Sequence, residues 1–346
     1  MGMLKVGHEQ IRLDLEMLLF GYERIRPDRV DAKLICVSGT HAVWMTWKVI
    51  ESTRQDVVQT YTCRFYRQAL TEPDAVLIEF WRSAGQGGGG RGGRIMADGT
   101  VLFVGGGGLS GGYWLEGYRI DGKRFRIDVG RIPVAGLDAD GILLHSEFST
   151  PQARNGANPV EFVPFLTVGR GGGVELGPKV EVVPPGVKRF LSQEPVRSGD
   201  RFAWIHDGSL HVFDLRGRTT TKTRFKAPLA KDDYVSAYDG ETVVAGLYAF
   251  DAKTGAVLGG QDLSKRPVCL AGVFAVRHRV GYYHKGGNLM AVDLTSPEGA
   301  SVVLAPAKDV PSAETDAGLI VWDGAKWVTV PWVKEWKGGA ETCKKG

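Results

Sequence analysis

The sequence predicts an all-β protein built from short antiparallel strands, and two observations support this prediction. First, short runs rich in Val, Ile, Tyr, Phe and Trp recur along the chain, among them KLICV, AVLIEFW, LHVFDL and GLIVW. Their length and composition favour strands. Second, Asp-Gly occurs six times, usually between two such runs, at residues 98, 121, 140, 207, 239 and 323. Because Asp-Gly favours the positive φ values of tight hairpin turns, we expect a series of antiparallel hairpins.

Two segments have patterns that also fit a short helix. Residues 11–19 carry leucines and an isoleucine whose spacing fits both a helical stripe and the alternation of a strand. Residues 71–81 begin with Thr71 and Pro73, which could cap a helix or lead into a buried strand. We expect strands at both places.

The sequence contains a repeated motif in which an apolar strand ends in an aspartate. The motif occurs at three places, with a looser fourth copy: LHVFDL (210–215), LYAFDA (247–252), LMAVDL (289–294) and EGYRIDG (116–122). Asp214, Asp251 and Asp293 lie 37 and 42 residues apart. Repeats of this length with several strands each are typical of β-propeller blades. We therefore expect a single β-propeller of seven four-stranded antiparallel blades, with six or eight blades as alternatives.

Two stretches resemble known propeller repeats. LYAFDAKTGAVLGG at residues 247–260 resembles the repeat of quinoprotein-type propellers, Ala-x-Asp-x-x-Thr-Gly, with Gly259 where a Trp usually closes the repeat. The matching residues are Ala249, Asp251, Thr254 and Gly255. Residues 93–125 resemble a kelch-type blade, in which paired glycines end a strand before a tyrosine and a second aromatic residue. Those positions are Gly105, Gly106, Tyr118 and Phe125, with Phe125 in place of Trp. Both resemblances imply the propeller fold and carry no catalytic residues.

We expect residues 1–346 to form one propeller domain. The repeats predict blades that start near residues 32, 75, 134, 193, 230, 270 and 311. Since propellers remove exposed strand edges by closing the ring, we expect an N-terminal strand within residues 8–30 to complete the last blade. Residues 149–186 exceed an ordinary hairpin connection and are a candidate insertion. Residues 337–346 are expected to form a flexible tail.

The composition excludes several classes of protein. Apolar residues make up 43% of the 346 residues and charged residues 24%, which is typical of a globular protein. A formal net charge of +4 is far below that of a dedicated nucleic-acid-binding domain. The four cysteines form no CxxC pair, so we expect free buried thiols rather than structural zinc or disulfides. The N-terminal apolar run is too short for a signal peptide or a membrane span. We expect a cytoplasmic protein without membrane association.

The glycine-rich stretch at residues 87–122 raises the possibility of a phosphate-binding loop. It lacks the Lys-Ser/Thr pair of a Walker A loop, and a predicted strand rather than a helix follows it. It also lacks the repeated Arg-Gly-Gly units of a nucleic-acid-binding tail. We expect the glycines to form corners of a blade. A loop of this kind at a propeller rim could contact a partner through Arg91, Arg94, Tyr113 and Trp114.

Other residues that could form sites are a basic stripe and scattered histidines. Arg218, Lys222, Arg224 and Lys226 occupy even positions and would share one face of a strand. The stripe could bind an acidic partner or nucleic acid, or keep an outer blade strand soluble, and the second interpretation is favoured. His206 and His211 lie beside Asp207, but no HxH pair suggests a metal site. No Gly-x-Ser-x-Gly motif of a serine hydrolase is present.

The function expected from these observations is a non-catalytic scaffold or adaptor that presents a rigid propeller face to another protein. We expect no catalytic residues, no cofactor and no metal, and a chain that is monomeric alone or part of a hetero-complex. Two alternatives stay open. One is an enzyme, or a protein that binds a small ligand or a glycan in the central channel. The other is weak nucleic-acid association through the basic strand. Ionisable side chains that converge on one mouth of the channel would favour the first alternative.

Overall fold

The structure is a computed structural model in which strands and tight turns make up most of the chain. It describes residues 23–53, 58–84, 93–106, 112–130, 134–138, 140–145, 159–168, 173–185, 195–230, 233–259, 270, 272–296, 299–336 and 341–342. Within these ranges the strands form seven antiparallel sheets and there is no α-helix. We number the sheets as blades one to seven in chain order. The predicted all-β, seven-bladed propeller is confirmed.

The first three blades occupy residues 24–183. Blade one consists of β1 (Arg24–Ile25), β2 (Lys33–Val37), β3 (His41–Thr53), β4 (Val58–Ala69) and β5 (Ala75–Ala84). Blade two consists of β6 (Gly93–Ile95), β7 (Val101–Gly106), β8 (Tyr113–Tyr118) and β9 (Arg124–Gly130). Blade three consists of β10 (Val134–Leu137), β11 (Gly141–His145), β12 (Val160–Val168), β13 (Gly173–Leu176) and β14 (Val180–Val183). In blade three both β13 and β14 pair with β12.

Blades four and five follow the meander pattern in chain order. Blade four consists of β15 (Val196–Ser198), β16 (Arg201–His206), β17 (Ser209–Asp214) and β18 (Thr219–Arg224). Blade five consists of β19 (Val235–Tyr238), β20 (Thr242–Ala245) and β21 (Tyr248–Asp251). All four residues of β20 are buried, because a central blade strand packs against neighbouring blades on both faces.

Blades six and seven complete the ring. Blade six consists of β22 (Ala275–Arg277), β23 (Val280–Lys285), β24 (Asn288–Asp293), β25 (Ala300–Pro306) and, paired with β25 at the sheet edge, β29 (Glu341–Thr342). Blade seven consists of β26 (Asp309–Glu314), β27 (Gly318–Trp322) and β28 (Trp327–Pro331). Part of the predicted C-terminal tail therefore pairs with blade six.

Seven clusters of buried apolar side chains in the described residues join neighbouring blades into a closed ring. The cluster that closes the ring contains Trp44 of blade one and Trp322 of blade seven, whose ring centroids lie 5.2 Å apart. Pairs from the other clusters, in order around the ring, are Val43 and Val101, Leu115 and Ile142, Phe162 and Phe202, Leu210 and Val243, Val244 and Val276, and Leu289 and Leu319. Each blade therefore buries both of its faces.

The described part of the N-terminal segment contributes one strand, β1, to blade one. β1 pairs with β5 at the outer edge of blade one. The side chain of Glu23, just before β1, explains this position, because it accepts hydrogen bonds from Arg64 (2.9 Å) and from the Tyr66 hydroxyl (2.6 Å). Residues 8–22 of the predicted closing strand lie outside the described residues. Completion of the last blade by residues 8–22 stays a prediction, and the described residues join blades seven and one through apolar packing.

Most predicted blade boundaries agree with the sheets, but the second is wrong. Residues 75–84 form the strand β5 of blade one, and blade two begins at Gly93. The start of blade two was predicted at residue 75, but β3 and β4 are long. Blade one therefore extends further along the chain, and its strand β5 occupies the residues where a new repeat was expected. The strand expected at residues 71–81 is present as β5. The one expected at residues 11–19 lies outside the described part of the chain. Within residues 149–186, the strands β12, β13 and β14 belong to the sheet of blade three.

The repeated aspartates occupy equivalent positions in successive blades. Asp214, Asp251 and Asp293 end the third strand of blades four, five and six. Each carboxylate accepts backbone N–H bonds from the turn that follows, for example from Thr254 to Asp251 at 2.9 Å. At Asp251 these bonds hold the pKa of the carboxyl below its ordinary value, and the bond from the backbone N–H of Thr254 contributes most. The repeat seen in the sequence is therefore a turn-capping device.

Gly255 shows why the same motif needs a glycine. Its φ is +67°, and a Cβ atom there would lie 2.0 Å from the backbone oxygen of Arg224 in the neighbouring blade. The carbonyl of Gly255 also accepts a hydrogen bond of 2.9 Å from the backbone N–H of Lys226. The motif therefore fixes both a turn and the contact between blades four and five.

Five of the six Asp-Gly pairs place their glycine at positive φ in a hairpin connection: residues 99, 122, 208, 240 and 324. Only Asp207-Gly208 has both residues at positive φ, 50° and 64°, as a two-residue hairpin requires. In the longer connections the aspartate accepts backbone N–H bonds, as Asp239 does from Thr242 at 2.7 Å. Within the described residues no helix is long and apolar enough to cross a membrane.

Candidate functional site at the channel mouth

A cavity of about 770 Å³ opens at one mouth of the central channel. Its walls are the ends of the innermost strands and the hairpins that lead to the second strands. Six blades contribute lining residues: 37–40 from blade one, 94–97 from blade two, 197–199 from blade four, 238–239 from blade five, 276–277 from blade six, and 312–316 with Trp332 from blade seven. The cavity is of the size that small-molecule sites have in proteins.

The charged side chains of this mouth are concentrated at one structural position. The last paired residue of the innermost strand is, from blade one to blade seven, Val37, Ile95, Leu137, Ser198, Tyr238, Arg277 and Glu314. Val37, Ile95 and Tyr238 are buried, whereas Arg277 and Glu314 are exposed in the channel. Opposite charges therefore occupy equivalent positions in two neighbouring blades.

The side chains of Arg277 and Glu314 point toward each other's blade. Arg277 shares a face of β22 with Ala275, which packs in the cluster between blades six and seven. Glu314 is paired with Leu319, which belongs to the same cluster. We call this junction, formed by Arg277, Glu314, Ser312 and His284, the polar seam.

Within the described part of the chain, neither Arg277 nor Glu314 has a side-chain ion pair or hydrogen bond. Partial removal from bulk water raises the pKa of the Glu314 carboxyl, although the residue keeps an exposed surface at the channel mouth. The positive charges of Arg277 and Arg94 act in the opposite direction, and Asp239 raises this pKa further. Charges that lie close together without being paired are available to a ligand.

A second polar contact lies beside this pair, farther along β26. The hydroxyl of Ser312 is 3.0 Å from Nε2 of His284, which belongs to β23 of blade six. The imidazole is stacked on Phe274, with ring centroids 5.0 Å apart and an interplanar angle of 16°. Burial lowers the pKa of His284, so the ring is neutral near pH 7. Ser312 itself lines the cavity.

The opposite wall of the mouth contains charges that are already paired. Arg197 donates to Asp138 at 3.2 Å and to both carboxylate oxygens of Asp140. Burial acts to lower the pKa of Arg197, but its bonds to Asp140 and Asp138 raise that pKa overall. The guanidinium also lies 4.8 Å from the ring centroid of Phe162. Arg94 pairs with Asp138 at 3.2 Å. We interpret this wall as structural, since its carboxylates hold blades two, three and four together.

Of the four partner-contact residues predicted around the glycine-rich stretch, the three that the structure describes lie on two different strands of blade two. Arg94 lines the channel mouth from the innermost strand of blade two. Tyr113 and Trp114 lie in β8, the third strand, where Trp114 donates to Glu116 at 3.0 Å and carries the guanidinium of Arg126 at 4.2 Å from its ring centroid. Arg91 lies outside the described residues. Contact of these residues with a partner stays a prediction.

Gly99 and Gly122 of this stretch lie at blade corners, as expected, whereas Gly105 and Gly117 lie within paired strands. Gly105 lies opposite Trp114 in the ladder between β7 and β8. A Cβ atom at Gly105 would lie 2.3 Å from the indole nitrogen of Trp114. The glycine is therefore needed because the indole lies across the neighbouring strand, which is a role in packing.

The basic stripe of blade four is only partly formed. Lys222 and Arg224 share a face of β18, the outermost strand, and both are exposed. Arg218 does not belong to the strand, because it occupies the preceding turn with a φ of +49°. Lys226 follows the end of the strand. The edge position agrees with charges that keep an outer strand soluble, and nucleic-acid binding by this strand stays a prediction.

The described residues contain no cluster of three or more His, Cys, Asp or Glu side chains that could hold a metal ion. His206 and His211 have ring centroids 5.9 Å apart, and Trp204 is stacked on His211 at 5.5 Å. Cys36 and Cys63 are free and buried. Burial raises the pKa of Cys36 to about 12, partly offset by Arg94. This thiol is therefore protonated and unreactive at neutral pH.

Sequence reasoning missed the polar seam. Arg277, Glu314, Ser312 and His284 are separated by up to 37 residues and match no motif. The seam is recognisable only when the innermost strands of the seven blades are aligned at their last paired residue. Blades six and seven then carry a charged residue where the other five blades have an uncharged one. The comparisons with known proteins give no independent guide: no protein-family model matches the chain, and a search of curated proteins finds no similar sequence. The structure thus shows a propeller, while the quinoprotein-type and kelch-type resemblances stay predictions.

Proposed function

We propose that this chain is a binding propeller that holds a small polar ligand at the channel mouth, against the polar seam. The observation that carries the proposal is that Arg277 and Glu314 occupy equivalent positions of blades six and seven, face each other, and have no ion-pair partner among the described residues. A guanidinium binds anionic or carbonyl groups through several directed N–H donors. A carboxylate accepts hydrogen bonds from amines or hydroxyls. The ligand therefore carries both an acceptor or anionic group and a donor group.

The balance of charge at the mouth supports a ligand of mixed polarity rather than a polyanion. Arg94, Arg197 and Arg277 line the cavity together with Asp239, Glu314 and Asp316. Three positive and three negative side chains create no strong field of one sign, which nucleic acid would require. The scaffold function expected from the sequence stays a prediction beside this proposal.

A thermal-shift screen of small zwitterionic and hydroxylated compounds tests this proposal. A compound that binds at about 100 times its Kd should raise the Tm by roughly 3–5 °C. Arg277→Met and Glu314→Gln should each reduce that shift, because they remove one of the two ligand contacts.

Arg279→Met is the matched control for Arg277→Met. Arg279 is exposed in the neighbouring turn, lies 3.9 Å from Asp251 and does not line the cavity. Compounds that shift the wild type and Arg277→Met equally would show that binding takes place elsewhere. A screen in which no compound shifts the wild type would count against the proposal.

A second candidate function is partner-protein binding at the opposite mouth, which keeps the scaffold hypothesis in a different place. Tyr234 and Leu247 are exposed by 50% and 40% at the end of blade five that lies away from Asp239. Exposed aromatic residues often anchor protein interfaces. Quantitative pull-down with wild type and Tyr234→Lys tests it: a stoichiometric partner should be lost with Tyr234→Lys and retained with Lys253→Glu, a change at an exposed residue at the other end of the same blade.

A further inference from the structure

The hydrogen bond between Ser312 and His284 joins two different blades at the wall of the ligand cavity. We infer that Ser312 is the nucleophile, and His284 the general base, of an acyl-transfer site in the polar seam. The inference rests on the proposed function, since the substrate would occupy the same channel mouth. A serine within hydrogen-bond reach of an imidazole is the arrangement that activates a hydroxyl for attack on a carbonyl carbon.

The geometry supports a base that is held in place. Nε2 of His284 lies 3.0 Å from the hydroxyl of Ser312, and stacking on Phe274 fixes the plane of the ring. Nδ1 of His284 is buried and has no hydrogen-bond partner among the residues that the structure describes. When Nδ1 carries the proton, Nε2 has a lone pair directed at the serine hydroxyl. The seam therefore supplies an acceptor for the serine proton.

A second hydroxyl and histidine pair at the same mouth provides a comparison. Nδ1 of His41 is 2.9 Å from the hydroxyl of Thr40, which also lines the cavity. Those residues are adjacent in one hairpin, where such a contact follows from the local backbone. Ser312 and His284 are 28 residues apart in sequence and come from separate sheets. Their contact depends on how blades six and seven are packed, so it is not a product of one turn.

The reaction that fits this pair is hydrolysis of a carboxylic ester. The Ser312 oxygen attacks the carbonyl carbon while its proton passes to Nε2 of His284. The tetrahedral intermediate then breaks the bond to the alcohol oxygen, and the alcohol leaves with the proton from His284. Water attacks the resulting acyl-serine, gives a proton to His284, and releases the acid as the proton returns to Ser312. Ester and water become acid and alcohol, with no oxidant or reductant required.

The seam also indicates the kind of ester. Glu314 lies two residues beyond Ser312 on the same side of β26, which is about 7 Å along a strand. Arg277 faces Glu314 from blade six. A small ester with a polar or charged group about 7 Å from its carbonyl carbon would therefore reach both parts of the seam. Long apolar acyl chains would not find an apolar lining among these residues.

Covalent labelling with a fluorophosphonate probe tests the inference on the full chain. The probe reports activated serines without the natural substrate, and peptide mass spectrometry identifies the labelled residue. We expect labelling at Ser312 of the wild type. Ser312→Ala should abolish it and His284→Gln should slow it by about 100-fold, which is the usual range for loss of a general base. Ser198→Ala is the matched control, because Ser198 lines the same cavity and has no histidine partner in the described residues.

The outcomes separate this inference from the proposed function. Labelling of Ser312 that depends on His284 supports the acyl-transfer site, even if no compound shifts the Tm. Absence of labelling at Ser312 in the folded wild type overturns the acyl-transfer site, and a ligand-induced Tm shift that depends on Arg277 would then leave a binding propeller only. Equal labelling of Ser312 and Ser198, or labelling unaffected by His284→Gln, also overturns it. The labelled residue is identified in the wild type. Absence of labelling at Ser312 therefore overturns the inference even if a variant fails to fold.

Discussion

Blade seven packs against two neighbours through apolar side chains, and its two faces differ at the channel end. Toward blade one, Trp322 and Trp327 pack around Trp44, with ring centroids 5.2 and 5.8 Å from it. Toward blade six, the channel end of the same blade presents Ser312 and Glu314. The junction with blade six also has an apolar core, which contains Leu289 and Leu319, but its channel end carries charges and a hydroxyl, whereas the junction with blade one is aromatic. Both junctions hold the ring together, and the difference at the channel end indicates where a ligand could bind.

The two junctions also differ in whether their buried polar groups have hydrogen-bond partners. Gln68, 2% exposed, accepts from Nε1 of Trp44 at 2.8 Å and from Nε1 of Trp327 at 3.1 Å. Its amide nitrogen donates to the carbonyl of Glu72 at 2.9 Å. Every polar group of this small network is satisfied. In the polar seam, Nδ1 of His284 is buried and has no hydrogen-bond partner in the described part of the chain. Such an exception in a packed protein calls for an explanation, and a functional site provides one.

The largest effect is expected from truncating the aromatic junction. Trp44→Ala should lower the free energy of unfolding by about 3–5 kcal/mol, because it leaves a cavity among closely packed rings. Urea unfolding followed by circular dichroism measures the change. Ser312→Ala, in the other face of the same blade, is the matched comparison and should cost less than about 1 kcal/mol. Equal losses would remove the distinction between the two junctions.

A smaller effect is expected when the polar network of the aromatic junction is broken. Gln68→Leu should cost about 1–3 kcal/mol, because two buried indole N–H groups lose their acceptor. The loss should shrink when Trp44→Phe has already removed one of these donors, so a double-mutant cycle isolates the hydrogen bond. Additive losses would contradict this role of Gln68.

The smallest effect concerns pH and the polar seam. Burial lowers the pKa of His41, His211 and His284. The unfolded chain therefore binds more protons than the folded chain just below the ordinary pKa of 6.5. The free energy of unfolding should therefore be highest above that pH and should decrease as the pH falls from about 7 to 5. Tm measured across this range should decrease, and His284→Gln should make the decrease shallower. An unchanged slope would show that His284 titrates normally.

The fold was largely predictable from sequence because its signals are local. Asp251 and Gly255 act within one turn, and the apolar runs around them become strands whatever their neighbours are. The start of blade two was missed because the length of β3 and β4 is set by pairing between distant residues. The seam was missed for a related reason. Arg277 and Glu314 meet only through the packing of two blades, and nothing in the surrounding sequence marks either residue.

The most direct test of the central claim is to give the seam the side chains that other blades carry at the same position. The double variant Arg277→Ile/Glu314→Val introduces residues of the kind found at Ile95 and Val37. If the seam is kept polar for binding, the variant should unfold at the wild-type Tm or higher while the ligand-induced Tm shift disappears. A Tm lower by several degrees with an unchanged ligand response would show that Arg277 and Glu314 serve stability, and would contradict a binding site at the polar seam.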